Sequence, residues 1–152
     1  GMHCVPTSAI NVLAYAAAHG FPFLPPGVAN WQSDANYEDA TQAILQMGVW
    51  MGTQPGGMPN EGTNAQGAMA GYQAWLSSYP LFTVTGHFSK DNYAPRVEHM
   101  AKAMANGALV AFTYGRYEQV GSYLGLPLMV RDGGHCITLT RAYTFGAGQK
   151  EV

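Results

Sequence analysis

The sequence predicts an α+β domain, with N-terminal helices packed on a C-terminal antiparallel sheet. Apolar residues recur at helical spacing through the early part of the chain. Runs rich in Thr, Val, Phe and Tyr come mostly late, and no regular β-α-β alternation joins the two regions. Length and composition agree: 152 residues with 47% apolar side chains suit one domain with a real core.

The first helix is predicted from Cys4 to His19. Pro6 restricts where it can begin, because proline is tolerated only in a first turn, where its missing N–H had no partner anyway. Cys4 therefore stands at or just before the helix start. Ile10, Leu13, Ala14 and Ala17 make an apolar face, and Gly20 ends the run. Residues 21–32 hold Pro22, Pro25, Pro26 and Gly27 and read as an extended loop. A second helix is expected from Asn36 to Met51, with Tyr37, Ala40, Ile44, Met47 and Trp50 on its buried side. Gly52 to Gly62 reads as loop. Thr63-Asn64-Ala65-Gln66 fits a capping box opening a third helix that runs to Ser78, and Tyr79-Pro80 closes it.

Beyond Pro80 the period changes. Leu81 to Phe88 reads as a strand. A fourth helix is expected from Ala94 to Ala105, with Val97, Met100, Ala101 and Met104 inward and Asn106-Gly107 as its stop. Leu109 to Tyr114 reads as a strand and Leu126 to Val130 as a shorter one. Asp132-Gly133-Gly134 is expected to turn the chain into a last strand, His135 to Phe145, with Ile137 and Leu139 on its buried side.

Charge excludes several function classes. Charged residues make up only 11% of the chain and the formal net charge is −2. Lys and Arg are too scattered to form the basic stripe that nucleic acid requires. No apolar run reaches the length of a membrane span, since Asn11 and Tyr15 interrupt the longest. A surface poor in Lys and Glu points to a secreted or cell-envelope setting. Gly1 does not initiate a chain, so the start reads as a cut edge.

The chemistry concentrates at the two ends. Only the thiolate of a cysteine attacks carbonyls well, and a free thiol titrates near pH 8.5. A helix N-terminus offers unpaired N–H groups and partial positive charge, which favour the thiolate. His135 follows Gly133-Gly134, which permits close approach of a backbone or a substrate. An imidazole facing the Cys4 thiol would favour thiolate and later protonate a leaving amine. The Cys4 N–H would supply one oxyanion donor. Cys4 and His135 lie about 130 residues apart, matching the Cys-to-His spacing of papain-type enzymes.

Cys4-Val5-Pro6-Thr7-Ser8-Ala9 entering an apolar helix, with Gly133-Gly134-His135-Cys136-Ile137-Thr138-Leu139 far downstream, resembles the papain-like cysteine peptidases. Within them the chain looks most similar to the bacterial group that processes bacteriocin leaders at double-glycine sites. The order of helices and the Asn106-Gly107-Ala108-Leu109-Val110 passage from helix to strand fit as well, so the resemblance covers most of the chain. It implies a thiol hydrolase acting on a peptide or protein, with Cys4 as nucleophile, His135 as base and no cofactor. Gly56-Gly57, and Gly134 beside the histidine, are candidates to line the substrate cleft.

Two features usual in that family are absent. No Gln precedes Cys4 to serve as second oxyanion donor, and no Asn or Asp follows His135 to orient it. The favoured account is that residues 1–152 are a single domain cut from a longer chain; a degenerate site is the other. Two further readings compete with the hydrolase: a catalytically incompetent papain-like module that binds peptide or protein, and an enzyme with the same thioester but another acceptor, a thiol acyltransferase or transglutaminase-like enzyme. A Cys4–Cys136 disulfide ranks below a catalytic thiol, because two cysteines make no disulfide framework. Cys136 reads as a buried small hydrophobe on the strand face opposite His135. The same alternation argues against a zinc site built from His3, Cys4, His135 and Cys136. His19, His87 and His99 have no partner motif, and Trp31, Trp50 and Trp75 read as core.

Overall fold

A computed structural model describes residues 2–24, 33–58, 60–79, 96–145 and 149–151. Among the described residues four helices precede the strands: α1 (Cys4–Ala18), α2 (Asp34–Trp50), α3 (Ala65–Ser77) and α4 (Val97–Ala105). They are followed by β1 (Val110–Tyr123), β2 (Leu126–Leu139), β3 (Tyr143–Phe145) and β4 (Gln149–Glu151). β1 pairs with β2 and β3 with β4, both antiparallel. The α+β class and the helix-first order are as expected. The expected strand Leu81–Phe88 lies outside the described residues, as does most of the proline-rich loop. No helix of the described residues is long and apolar enough to cross a membrane.

Helix α1 is the central element. It is apolar around most of its circumference, which suits a helix packed on several sides. Ala9, Ile10, Leu13, Ala16 and Ala17 join Met47 and Met51 from α2's end and Trp75 of α3 in one buried cluster. The ribbon β1–β2 packs on another side of the same helix. Close helix crossings depend on glycines. Gly67 and Gly71, one turn apart on α3, admit Met51: a Cβ at Gly67 would collide with the Met51 carbonyl oxygen, and one at Gly71 with its side chain. Gly48 of α2 is buried, and a Cβ there would come 3.3 Å from the His3 ring and 3.6 Å from Pro6. That glycine seats the first turn of α1.

Several expectations are corrected here. Asp132-Gly133-Gly134 is not a turn: it runs inside β2, which continues unbroken from Leu126 to Leu139. The reversal falls instead at Leu124-Gly125, both at positive φ (50° and 79°), and β1 extends to Tyr123. Gly133 carries φ 103°, beside the register shift between Gly115 and Tyr117. The glycine pair thus accommodates an irregular ladder, as bulges do. Helix α3 is capped by Asn64, whose side-chain oxygen accepts the Gly67 N–H at 2.7 Å, so the cap lies one residue later than the Thr63 box. Thr63 instead bonds Thr53, their hydroxyls 2.7 Å apart. Tyr37 and Trp50 are exposed rather than buried, while Ala40 and Met47 are buried as expected. On β2, Leu139 is buried but Ile137 is 38% exposed, and Cys136 takes the buried place at 5%.

Candidate functional site

Cys4 is the first residue of α1. The residue before it, His3, has φ −98° and ψ 17° and makes no side-chain cap, and the first turn carries no acidic residue. The first helical bond runs from the Thr7 N–H to the His3 carbonyl at 2.9 Å. Neither a capping side chain nor a carboxylate therefore offsets the positive end of the helix dipole at Cys4. Pro6 is fully buried, which fixes this turn against α2. The Cys4 thiol is half-buried and free.

Strand β2 is held to α1 by one polar joint. The Thr138 hydroxyl donates to the Ser8 carbonyl at 2.9 Å, and the two hydroxyls lie 3.0 Å apart. Ser8 is 2% exposed, the one buried polar residue among those described. Each hydroxyl has a single proton, so with Thr138 committed to the carbonyl, the Ser8 proton is shared between the Thr138 oxygen and the Cys136 sulfur. The joint sets which strand face meets the helix. Thr138 and, two residues earlier, Cys136 turn toward α1. His135 takes the alternate face with its ladder partner Tyr114, and the two rings meet edge to face at 5.9 Å. Phe112 continues that face, its ring stacked 6.0 Å from Tyr114.

Cys136 closes a small polar cluster. Its thiol is pushed up from the ordinary range by burial, pulled back by a hydrogen bond with Ser8, and raised further by nearby Cys4. The phenol of Tyr72, on α3, is also pushed up, by burial first and by Cys136 second. Cys136 thus lies within electrostatic reach of both Cys4 on α1 and Tyr72 on α3.

Cys4 and His135 both line one broad cleft of about 2180 Å³. Its walls are one side of α1 from Cys4 to Tyr15, the 60–63 segment, the end of α4 and the near halves of β1 and β2. Pockets for small molecules span about 300–1,000 Å³, so this one has room for a polypeptide. No hydrogen bond joins Cys4 to His135. Gly134 lines the cleft; Gly56 and Gly57 do not. They lie beside it, Gly56 against Met2 and the Gly57 N–H donating to the Glu61 carboxylate at 2.7 Å. Among the described residues no group of three His, Cys, Asp or Glu gathers to hold a metal.

The sequence reading missed the Ser8–Thr138 joint and the Gly48 seat. Both left a signal. Ser8 follows Cys4 by one helical turn and so shares its side of the helix, unlike the neighbouring Thr7, and Gly48 interrupts a helix where alanine would be better tolerated. No protein-family model, no curated protein and no solved structure matches the chain.

Proposed function

We propose that this chain is a papain-like thiol hydrolase domain that cleaves peptide or amide bonds through an acyl-thioester on Cys4, with His135 as the base. One observation carries the reading: Cys4 sits at the uncapped start of the helix on which the His135 strand packs, and both open onto a cleft sized for a polypeptide. In this mechanism the Cys4 thiolate attacks the substrate carbonyl and the Cys4 N–H receives the developing oxyanion. His135 protonates the departing amine, then takes a proton from the water that releases the acyl group. The step requires more than a ring rotation: His135 projects from the β2 face opposite Cys136 and Thr138, which meet α1, so the strand must reorient when substrate binds for the ring to leave Tyr114 and reach Cys4. The test is alkylation by iodoacetamide at neutral pH. Cys4 reacts well ahead of Cys136 and ahead of an unstructured peptide thiol, and His135→Ala slows it. A Cys4 rate no faster than that of the peptide thiol, or one unchanged by His135→Ala, would end the hydrolase reading.

A second reading has its own support. Because no hydrogen bond joins Cys4 to His135, and His135 packs on Tyr114, a papain-like module that binds a peptide without cleaving it uses the same cleft. Cys4→Ala separates the two: it leaves peptide binding intact in both, but abolishes turnover only in the hydrolase.

A further inference from the structure

We infer that Cys4 and Cys136 form a reversible oxidation site, in which a hydroperoxide oxidises Cys4 and Cys136 captures the product as an intramolecular disulfide. The placement comes from two elements locked together. Cys4 and Ser8 lie one turn apart on one face of α1, a separation of about 5–6 Å between Cβ atoms. Ser8 is bonded to Thr138 on β2, and Cys136, two residues back on the same strand face, also bonds Ser8. Cys136 is therefore on the β2 face that meets α1 beside Ser8, near enough to Cys4 for each thiol's charge to bear on the other. Both thiols are free, and both border the same cleft. Their exposures differ in the manner such a pair requires: Cys4 is half-buried and open to a small oxidant, whereas Cys136 is 5% exposed and shielded from it.

The chemistry balances with hydrogen peroxide as the oxidant. The Cys4 thiolate attacks one peroxide oxygen; an S–O bond forms, the O–O bond breaks and hydroxide leaves, giving the sulfenic acid. Cys136 then attacks the Cys4 sulfur. An S–S bond forms, the S–O bond breaks, and the departing hydroxide takes the Cys136 proton as water. Overall two thiols lose two electrons and two protons, and peroxide becomes two waters. The disulfide shields Cys4 from irreversible oxidation to the sulfinic acid and withdraws it from carbonyl attack until a thiol reductant restores it. That regulatory meaning rests on Cys4 being the proposed nucleophile; the disulfide does not.

The test treats the full chain with hydrogen peroxide and follows it by thiol titration, intact mass and non-reducing peptide mapping. The expected result is loss of both free thiols, a mass decrease of about 2 Da, a Cys4–Cys136 linked peptide and full recovery with dithiothreitol. Cys136→Ser and Cys136→Ala instead gain about 16 and then about 32 Da at Cys4, with a dimedone-reactive stage between. Oxygen adducts on Cys4 of the unmodified sequence while Cys136 stays titratable would overturn the site, as would a disulfide joining two chains. Parallel acylation with p-nitrophenyl acetate separates this inference from the hydrolase reading. A disulfide in a chain whose Cys4 takes no acyl group removes the hydrolase and keeps the oxidation site. Normal acylation without the disulfide removes the oxidation site alone.

Discussion

Replacing Thr138 with Val tests whether the Ser8–Thr138 joint holds the two halves of the site together. Val keeps the branched shape and the strand preference, so the change is confined to the hydroxyl. Two hydrogen bonds are lost, at 2.9 and 3.0 Å. A neutral bond contributes about 1 kcal/mol, and a buried group left without its partner costs about 1–3 kcal/mol. The Ser8 carbonyl keeps its place in the helix, and the Ser8 hydroxyl retains the Cys136 thiol as a neighbour, so the estimate falls near the low end, about 2 kcal/mol. For a domain of this length that corresponds to about 4–8 °C in melting temperature. Urea denaturation of Thr138→Val, Ser8→Ala and the double variant supplies a cycle, with a coupling of about 1 kcal/mol expected. Thr138→Ser, which restores the hydroxyl, recovers most of the loss. A cost for Thr138→Val below about 0.5 kcal/mol, or strict additivity in the cycle, would refute the claim that this joint fixes β2 on α1.

Other outcomes follow from the same packing. Gly67→Ala drives a Cβ into the Met51 backbone, which cannot rotate away; about 2 kcal/mol of net destabilisation is expected by chemical denaturation, even after the helix-propensity gain. Asn64→Ala removes the cap that accepts the Gly67 N–H and costs about 1 kcal/mol in the same assay. Stability also depends on alkaline pH with a definite sign. Burial raises the Cys136 thiol, so the folded chain keeps that proton to higher pH than the unfolded chain does. The contribution is complete below the ordinary thiol range and is lost as pH rises through it toward the folded value. Tyr72 adds a second decline beginning near the usual phenol value of 10.0. Denaturation midpoints measured from neutral to alkaline pH should fall in that order, with Cys136→Ala flattening the first part and Tyr72→Phe the second.

What was legible in the sequence was what local chemistry determines. Pro6 confined the start of α1 to within a turn of itself, because proline is tolerated only in a first turn, and the structure begins the helix two residues earlier, at Cys4. Apolar spacing and Gly/Asn stops located the four helices to within a few residues. The ribbon was less legible. Gly133-Gly134 carries the composition of a turn, yet the observed reversal uses Leu124-Gly125, where a leucine adopts positive φ against its preference. Pairing across the whole ladder decided that, and no local pattern reports it. Which face of β2 meets α1 was likewise hidden: a strand's two faces differ by one residue, and Thr138 meeting Ser8 selected Cys136 over Ile137 for burial. The same selection puts His135 beside Tyr114 while Cys4 keeps its place at the helix start.

Acylation of Cys4 by p-nitrophenyl acetate tests the central proposal most directly, because it reads nucleophilic attack on a carbonyl without requiring the natural substrate. The account predicts a burst of p-nitrophenol, an acyl group mapped to Cys4 alone, no burst in Cys4→Ala and a much slower burst in His135→Ala. An acyl group found on Cys136, or a burst rate unchanged by His135→Ala, would contradict it.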